Sequence, residues 1–189
     1  GSDKPDLRFG LEFIDVTEIA KKSDFHVFNK AEKIKCINPE DKFSRNEIDD
    51  LINYAIGVGS KGLAWMRVTD KGLESNIVKF FSTEMQKKLI EKTKAKKGSI
   101  LFFVADKEKK VNEILSKIRV EVARRLKLIE ENDFKFCWVV DFPLFEWDED
   151  ENAWKPSHHI FTAPKKEHIQ FIDNDPGNVY ADLYDLVLN

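Results

Sequence analysis

The chain has 189 residues, of which 42% are hydrophobic and 34% are charged, and its formal net charge is −3. This composition is typical of a globular protein with one large or two small domains, and the mixed charge disfavours an autonomous, strongly basic nucleic-acid-binding protein. No apolar run approaches the roughly 20 residues that a membrane-spanning helix requires, so we expect no membrane segment.

Three helix starts match the capping-box pattern, in which a helix-capping side chain is followed three residues later by Glu or Gln. The first is Asp15 to Glu18, flanked by Ile14 and Ile19, which are placed to form a hydrophobic staple. The second begins at Ser44, and the third begins at Thr83 with Gly98 beyond the end of its helix. Each box predicts a short amphipathic helix.

Apolar spacing defines the two longest predicted helices. The helix after Ser44 ends at Gly57, and the longest helix begins near Asp106. The predicted buried residues of the first are Ile48, Leu51, Ile52, Ala55 and Ile56. Those of the second are Val111, Ile114, Leu115, Ile118, Val122 and Leu126.

Strands are predicted between these helices at residues 33–37, 62–68 and 100–105, which are short, β-branched or aromatic, and bounded by turn residues. Helices and strands alternate, but not in the long regular units of a parallel sheet. The sequence therefore predicts an α+β fold, with a two-layer domain built on a mostly antiparallel sheet.

The last third of the chain predicts more antiparallel strands. Apolar residues alternate along residues 134–140, and residues 145–147 and 153–154 flank the acidic residues 148–152 as a hairpin with a charged tip. A further strand is predicted near residues 184–188. A sheet with few neighbouring strands has exposed edges, which favours self-association or disorder.

Three patterns are weaker candidates for sites. Residues 57–62 match G-x-G-x-x-G, but they follow a helix and precede a strand, so they predict a helix end and a loop rather than a dinucleotide site. The acidic run at residues 148–151 predicts a solvated hairpin tip rather than a metal site. Asp141 follows an apolar strand and is predicted to cap a turn or orient a neighbouring group. The two cysteines, Cys36 and Cys137, lack zinc-ligand spacing and indicate buried thiols in a reducing cytoplasm, with a disulfide between them as the alternative.

Two lysine clusters bracket the strand predicted at residues 100–105: Lys94, Lys96 and Lys97 before it, and Lys107, Lys109 and Lys110 after it. Such clusters can hold phosphates, although a solvated surface is the ordinary interpretation.

The strongest candidate site is the adjacent pair His158 and His159, in a loop that follows an aromatic-rich hairpin. Two imidazoles offer several nitrogen donors and can gain charge near neutral pH, so they can bind a carboxylate. Solvated loop side chains are the alternative. Phe161 and Thr162 are predicted to support the loop, whereas His26 and His168 are predicted to be surface residues.

Three segments resemble the bacterial type of aspartyl-tRNA synthetase, in the order of that family. Residues 1–8, GSDKPDLR, resemble its signature octapeptide; roughly residues 25–125 are similar to its inserted GAD domain, which a subunit of tRNA-dependent amidotransferases shares; residues 138–164 and 184–189 resemble the resuming catalytic domain. The resemblance predicts catalytic segments at residues 1–24 and 133–189 around an insert at residues 25–132. Ile160 stands where the family usually has proline, which leaves the backbone there less restricted.

The resemblance implies a fragment of a class II aspartate–tRNA ligase. The full-length parent would use ATP and Mg²⁺ to convert L-aspartate into aspartyl-adenylate, then transfer the aspartyl group to tRNA(Asp), with tRNA(Asn) as a second possible acceptor. It would be a cytoplasmic homodimer with no DNA partner. Because the family's three catalytic motifs are missing from these residues, the chain alone is expected to be inactive and to bind no metal or ATP.

The same resemblance assigns roles to individual residues. His158 is expected to contact the substrate aspartate, and His159 to hold its carboxylate or shape the loop. On the insert, Lys107, Lys109 and Lys110 are the first candidates for a tRNA contact. The alternative is that the insert is a non-catalytic tRNA-binding or structural module.

Overall fold

The structure is a computed structural model that describes residues 4–40, 43–130 and 132–189. Residue contacts divide the chain into two compact units. Among the described residues, the first unit comprises residues 9–130 and the second comprises residues 4–8 with residues 132–189.

The first unit is built on a five-stranded sheet in which every pair of neighbours is antiparallel. In spatial order its strands are β1 (Ile14–Asp15), β2 (Lys33–Ile37), β5 (Ile100–Asp106), β3 (Ala64–Thr69) and β4 (Gly72–Glu74). The first five residues of β5 are buried, which explains why its sequence is a continuous apolar run rather than an alternating one.

Helices cover both faces of this sheet. They are α1 (Thr17–Ala20), α2 (His26–Lys30), α3 (Arg45–Gly57), α4 (Thr83–Thr93) and α5 (Glu108–Arg125). Leu101 and Phe103 of β5 belong to one core, with Phe28 of α2 and Leu89 of α4. The intervening residues Ile100, Phe102 and Val104 belong to a second core with α3 and α5. The α+β class and the mostly antiparallel sheet are confirmed, with helices on two faces of the sheet rather than in a single second layer.

Two short strands were not predicted. β1 has two residues and β4 has three, which is too short for side-chain alternation to be read from the sequence. Through β1 and the buried Val16, residues that the sequence analysis assigned to a flanking catalytic segment pack into the first unit.

The capping box at Ser44 is confirmed. The Ser44 hydroxyl accepts from the backbone N–H of Glu47 at 3.3 Å, and the Glu47 carboxylate accepts from the backbone N–H of Ser44 at 2.7 Å. The helix that it opens buries Ile48, Leu51 and Ala55. Ile56, however, is 52% exposed, so its predicted burial was wrong, because the buried stripe is narrower than the apolar sequence pattern.

The other two boxes were wrong in detail. The Asp15 carboxylate accepts from the backbone N–H of Thr17 at 2.9 Å, so it closes a turn of two residues and does not reach Glu18. Helix α4 is capped one residue earlier than predicted, since the Ser82 hydroxyl accepts from the backbone N–H of Met85 at 3.3 Å. Its C-terminus is in the left-handed conformation at Lys94, before Gly98 is reached.

The long helix α5 begins at Glu108, because Asp106 is still the last residue of β5. The apolar stripe predicted for this helix is confirmed. Its members Val111, Ile114, Leu115, Ile118 and Val122 are buried, and Leu126 packs against the same core.

The second unit contains two antiparallel strand pairs. Strand β6 (Phe136–Val139) pairs with β9 (Asp185–Leu188), and β7 (Phe145–Asp148) pairs with β8 (Ala153–Pro156) as the predicted hairpin. A small core of Leu144, Val179 and Ala181 lies beside the hairpin. Among the described residues, no helix is both long and apolar enough to span a membrane.

Candidate amino-acid-binding site

The loop that carries His158 and His159 is anchored at its start. The backbone N–H of Ser157 donates to the carbonyl of Leu144 at 2.9 Å, and the N–H of Leu144 donates to the carbonyl of Val179 at 2.8 Å. Both hydrogen bonds involve the buried core of the second unit. The loop therefore begins from a fixed position although its tip is exposed.

His158 is half-buried, and its ring meets the ring of Phe142 edge-on at 5.4 Å. Its Nε2 is buried without a hydrogen-bond partner among the described residues, as is the hydroxyl of the neighbouring Ser157. Leaving a buried polar group unpaired costs about 1–3 kcal/mol. The two groups belong to consecutive residues at the start of the loop.

His159 points to different neighbours. Its Nδ1 accepts from the backbone N–H of Phe161 at 3.4 Å, and the two rings lie 4.8 Å apart. Its carbonyl accepts from the N–H of Thr162 at 2.8 Å, so the predicted turn at Thr162 is closed by its backbone. Ile160 and Phe161 at the tip are 80% and 85% exposed. The tip thus leaves two large apolar side chains open to solvent.

Asp141 has a positive φ of 60°, which is uncommon for a residue with a side chain but tolerated by aspartate. Its carboxylate forms an ion pair with the ammonium of Lys165, and this hydrogen bond raises the pKa of Lys165. The backbone N–H of Lys165 also donates to the carbonyl of Tyr180 at 2.9 Å. Asp141 therefore orients a neighbouring side chain, which is one of its two predicted roles.

His168, predicted to be a surface residue, is half-buried and makes contacts that the sequence did not indicate. Its Nδ1 accepts from the backbone N–H of Tyr180 at 3.0 Å, and its ring packs 5.3 Å from that of Tyr180. This contact depends on a return of the chain, so no local sequence pattern could have indicated it. His26 is exposed, as predicted.

The predicted phosphate-binding lysines lie at the start of α5. Lys107 is its N-cap residue, and Lys109 and Lys110 belong to its first turn. The ammonium of Lys110 lies 3.7 Å from the carboxylate of Asp106, whereas Lys107 lines a cavity of the first unit. The lysines therefore lie at the same end of α5, but Lys107 and Lys110 have different surroundings.

The earlier lysine cluster forms exposed ion pairs. Lys96 pairs with Glu40 at 2.9 Å and Lys97 pairs with Asp70 at 2.7 Å, whereas Lys94 ends α4. Such pairs contribute little to stability because water screens them.

Three other patterns are resolved by the structure. Residues 57–62 form the end of α3 and a loop with Gly59 at a φ of 100°, which confirms the predicted helix end and loop. Both cysteines are free thiols, and burial raises the pKa of the Cys36 thiol. In the described parts of the chain, no group of three or more His, Cys, Asp or Glu side chains is arranged to hold a metal ion.

At the acidic hairpin tip, the Asp148 carboxylate is bound by groups of the hairpin itself. The Asp148 carboxylate accepts from the backbone N–H groups of Asp150 and Glu151, both at 2.9 Å, and forms an ion pair with Lys155 at 2.7 Å. The ion pair with Lys155 and these backbone hydrogen bonds lower the pKa of Asp148. The tip is thus the solvated turn that the sequence predicted.

Comparison with known proteins identifies two levels of similarity. The GAD domain family matches residues 25–115, which lie within the first unit. The whole chain aligns with aspartate–tRNA(Asp/Asn) ligases of Brachyspira hyodysenteriae, at 51% identity, and Heliobacterium modesticaldum, at 48% identity. It also aligns over its full length with the aspartate–tRNA ligase of Enterococcus faecalis, at 45% identity.

The chain covers 33% of the Brachyspira and Enterococcus proteins and 32% of the Heliobacterium protein, so it spans about a third of the length of these relatives. The alignments include both the GAD domain and the His158 loop, since they extend over the entire chain. This chain therefore contains a region similar to the GAD domain family, and over its whole length it is similar to about a third of these aspartate–tRNA ligases.

Proposed function

We propose that the longer protein containing this segment activates L-aspartate with ATP and transfers the aspartyl group to tRNA, and that His158 contacts the aspartate. The transfer would be to tRNA(Asp), with tRNA(Asn) as a second acceptor, in a cytoplasmic class II homodimer. The support is similarity to relatives that are named as aspartate–tRNA ligases.

The observation that carries the role of His158 is its buried, unpartnered Nε2. The edge-on contact with Phe142 fixes the ring, so a ligand oxygen that reaches Nε2 would find a positioned hydrogen-bonding group. A protonated imidazole favours a carboxylate over a neutral amide, because a charge left unpaired in a closed pocket is costly. This chemistry would distinguish aspartate from asparagine.

His159 would have the secondary role. Its Nδ1 accepts a hydrogen bond from the Phe161 N–H at the loop tip, and its other ring nitrogen would bind the same carboxylate.

We assign no described residue to ATP or Mg²⁺. ATP and Mg²⁺ would be held by other parts of the longer polypeptide, so this segment alone would neither form adenylate nor charge tRNA.

Aspartate-dependent pyrophosphate–ATP exchange tests this proposal. We expect exchange with the longer gene product and none with this chain alone, with circular dichroism confirming that both are folded. Exchange by this chain alone would refute its assignment as an incomplete catalytic part. Charging by the longer product with an amino acid other than aspartate would refute the proposed substrate.

A second candidate function is a non-catalytic binding or structural role for the GAD domain itself. The position of Lys107 in a cavity, rather than only on an open surface, favours a binding role.

A further inference from the structure

The first unit contains two adjoining cavities, which we call the groove. One has a volume of about 350 Å³ and is lined by apolar and aromatic side chains, including Phe25, Phe28, Trp65 and Phe103. The other has a volume of about 550 Å³ and is lined mainly by polar and charged side chains. The two cavities adjoin each other, because both are lined by Val27, Lys61 and Ala105.

The aromatic walls of the groove are held by their own contacts. Phe25 packs against Phe28 at 5.0 Å and stacks on Phe80 at 5.6 Å. The guanidinium carbons of Arg45 and Arg67 lie 5.6 and 5.9 Å from the centre of the Trp65 ring. Phe28 and Phe103 are themselves buried. A flat ring entering the apolar cavity would therefore meet chiefly the partly buried Phe25 and Trp65 and the guanidinium of Arg45, which are groups on which unstacked bases pack.

Positive charge dominates the groove. Its described lining includes Arg45, Lys30, Lys61 and Lys107, against the carboxylates of Glu32 and Asp106. Counting only Lys and Arg against Asp and Glu, four positive charges face two negative ones, and Lys61 forms an ion pair with Asp106 at 3.3 Å. The cationic side chains of the second cavity therefore lie outside the space that a single ring would fill, as binding of a phosphate backbone would require.

Lys107 lies where the α5 dipole opposes a positive charge. The N-terminus of a helix carries partial positive charge, and cations there are unfavourable by roughly 0.3–1 kcal/mol each. Lys109 and Lys110 follow it in the first turn. Glu108 in the same turn offsets one of these three charges, and the remaining excess of lysine works against helix stability, as is expected at a functional surface.

We propose that the groove binds a single-stranded RNA segment, with one unstacked base against Trp65 in the apolar cavity and the flanking phosphates along Lys61 and Lys107. The inference rests on the proposed function, because a tRNA-charging enzyme must bind RNA. It assigns a strand rather than a free nucleotide, since the basic cavity extends the site past one base. The aromatic cavity, rather than the lysines alone, makes the site selective for unpaired nucleotides.

Fluorescence anisotropy with a labelled single-stranded RNA decamer tests the proposal on the full chain. We expect Trp65→Ala to raise the Kd about 5- to 140-fold, the range of one lost base–aromatic stack. Trp154→Ala, which removes a partly exposed tryptophan of the other unit, is the matched control and should leave the Kd unchanged. Equal effects of the two substitutions would overturn the proposal.

Two further variants test the proposal even if the Trp65→Ala protein does not fold. Trp65→Phe keeps an aromatic face, so it should retain RNA binding but lose the quench of tryptophan fluorescence that RNA causes. Arg45→Ala removes an exposed side chain and should weaken binding without unfolding the helix. A quench that persists in Trp65→Phe would show that RNA binds elsewhere.

Salt dependence tests the phosphate contacts. A plot of log K against the logarithm of the salt concentration has a negative slope, and each lost phosphate contact to a single strand reduces the magnitude of that slope by about 0.7. We expect this change for Lys61→Ala and Lys107→Ala, and none for Lys88→Ala, whose lysine forms a comparable ion pair on α4.

Competitors define the class of ligand. Unlabelled decamer should displace the probe, whereas duplex RNA of the same sequence, free AMP and an acidic peptide should compete weakly. Equal competition by any of these three would overturn the assignment to a single strand. If the RNA tests fail but the longer product still charges tRNA with aspartate, only the proposal that the groove binds RNA is refuted. RNA binding without such charging would refute only the proposed function.

Discussion

Ser44 and Glu47 stabilise the start of α3 through two reciprocal hydrogen bonds. We expect Ser44→Ala to lower the free energy of unfolding by about 1 kcal/mol, because a backbone N–H at the helix start loses its partner. Urea denaturation followed by circular dichroism measures this change. Ser116→Ala, which removes a hydroxyl within α5, should have little effect, and an equal loss at both positions would contradict a specific capping role.

Asp15 makes stability depend on acid pH. Burial of its carboxyl opposes ionisation, but hydrogen bonds from Thr17 and Lys33 outweigh it and lower the pKa to about 2, from an ordinary value of 3.8. Since the folded pKa is the lower one, the stabilisation is complete above the ordinary value and is lost as the pH falls towards 2.

We therefore expect Asp15→Asn to reduce the decline in unfolding free energy between about pH 5 and pH 2. Because the Asp15 side chain is nearly half exposed, solvent screening makes the difference modest. Parallel urea titrations at several pH values measure it. Identical pH dependence of the two proteins would show that the carboxylate is not favoured in the folded state.

At the scale of elements, α5 provides a test of burial within one helix. Ile118 is fully buried in the second core, whereas Val120, two positions later, is 44% exposed. Ile118→Ala should lower the free energy of unfolding by about 2–5 kcal/mol, through lost burial and a cavity. Val120→Ala should change it by less than about 0.5 kcal/mol, and a reversed order in urea denaturation would contradict the assigned helix face.

Elements with strong local signals could be predicted from the sequence. The Ser44 box and the α5 stripe are decided by neighbouring residues, so both were correct. Strand β1 exists because β2, later in the chain, offers it hydrogen bonds, which no local pattern contains. Strand β4 pairs with the preceding strand β3 in a tight hairpin, but its three residues are too few to show alternation. The Asp15 box was wrong because its carboxylate satisfies the nearer N–H of Thr17.

The candidate site was predictable only in part. The adjacency of His158 and His159 is visible in the sequence, but the burial of Nε2 against Phe142 depends on how the hairpin returns the chain. The groove was missed except for Lys107, since its lining residues come from several elements that converge only in the folded unit.

At the scale of the whole molecule, the β6–β9 strand pair exposes one apolar face. Its members are 54–67% exposed and comprise Phe134, Phe136, Trp138, Val140, Tyr184, Leu186 and Leu188. A contiguous apolar surface of this kind favours association in water. We expect this chain alone to self-associate as its concentration rises, measured by sedimentation velocity.

Trp138→Lys places a charge in the middle of that face and should shift the chain towards monomer. The matched substitution Trp147→Lys, in the hairpin, should leave self-association unchanged. Association that is insensitive to Trp138→Lys would exclude this face as its cause.

The most direct measurement is the KM for L-aspartate of the longer protein carrying His158→Ala, in pyrophosphate–ATP exchange. Loss of a hydrogen bond to a charged group should raise this KM about 10- to 100-fold, while the KM for ATP stays unchanged. Gln170→Ala, an exposed residue of the same unit, should behave as the unmodified protein. An unaltered KM for aspartate in a folded His158→Ala protein would contradict the binding of aspartate by this imidazole.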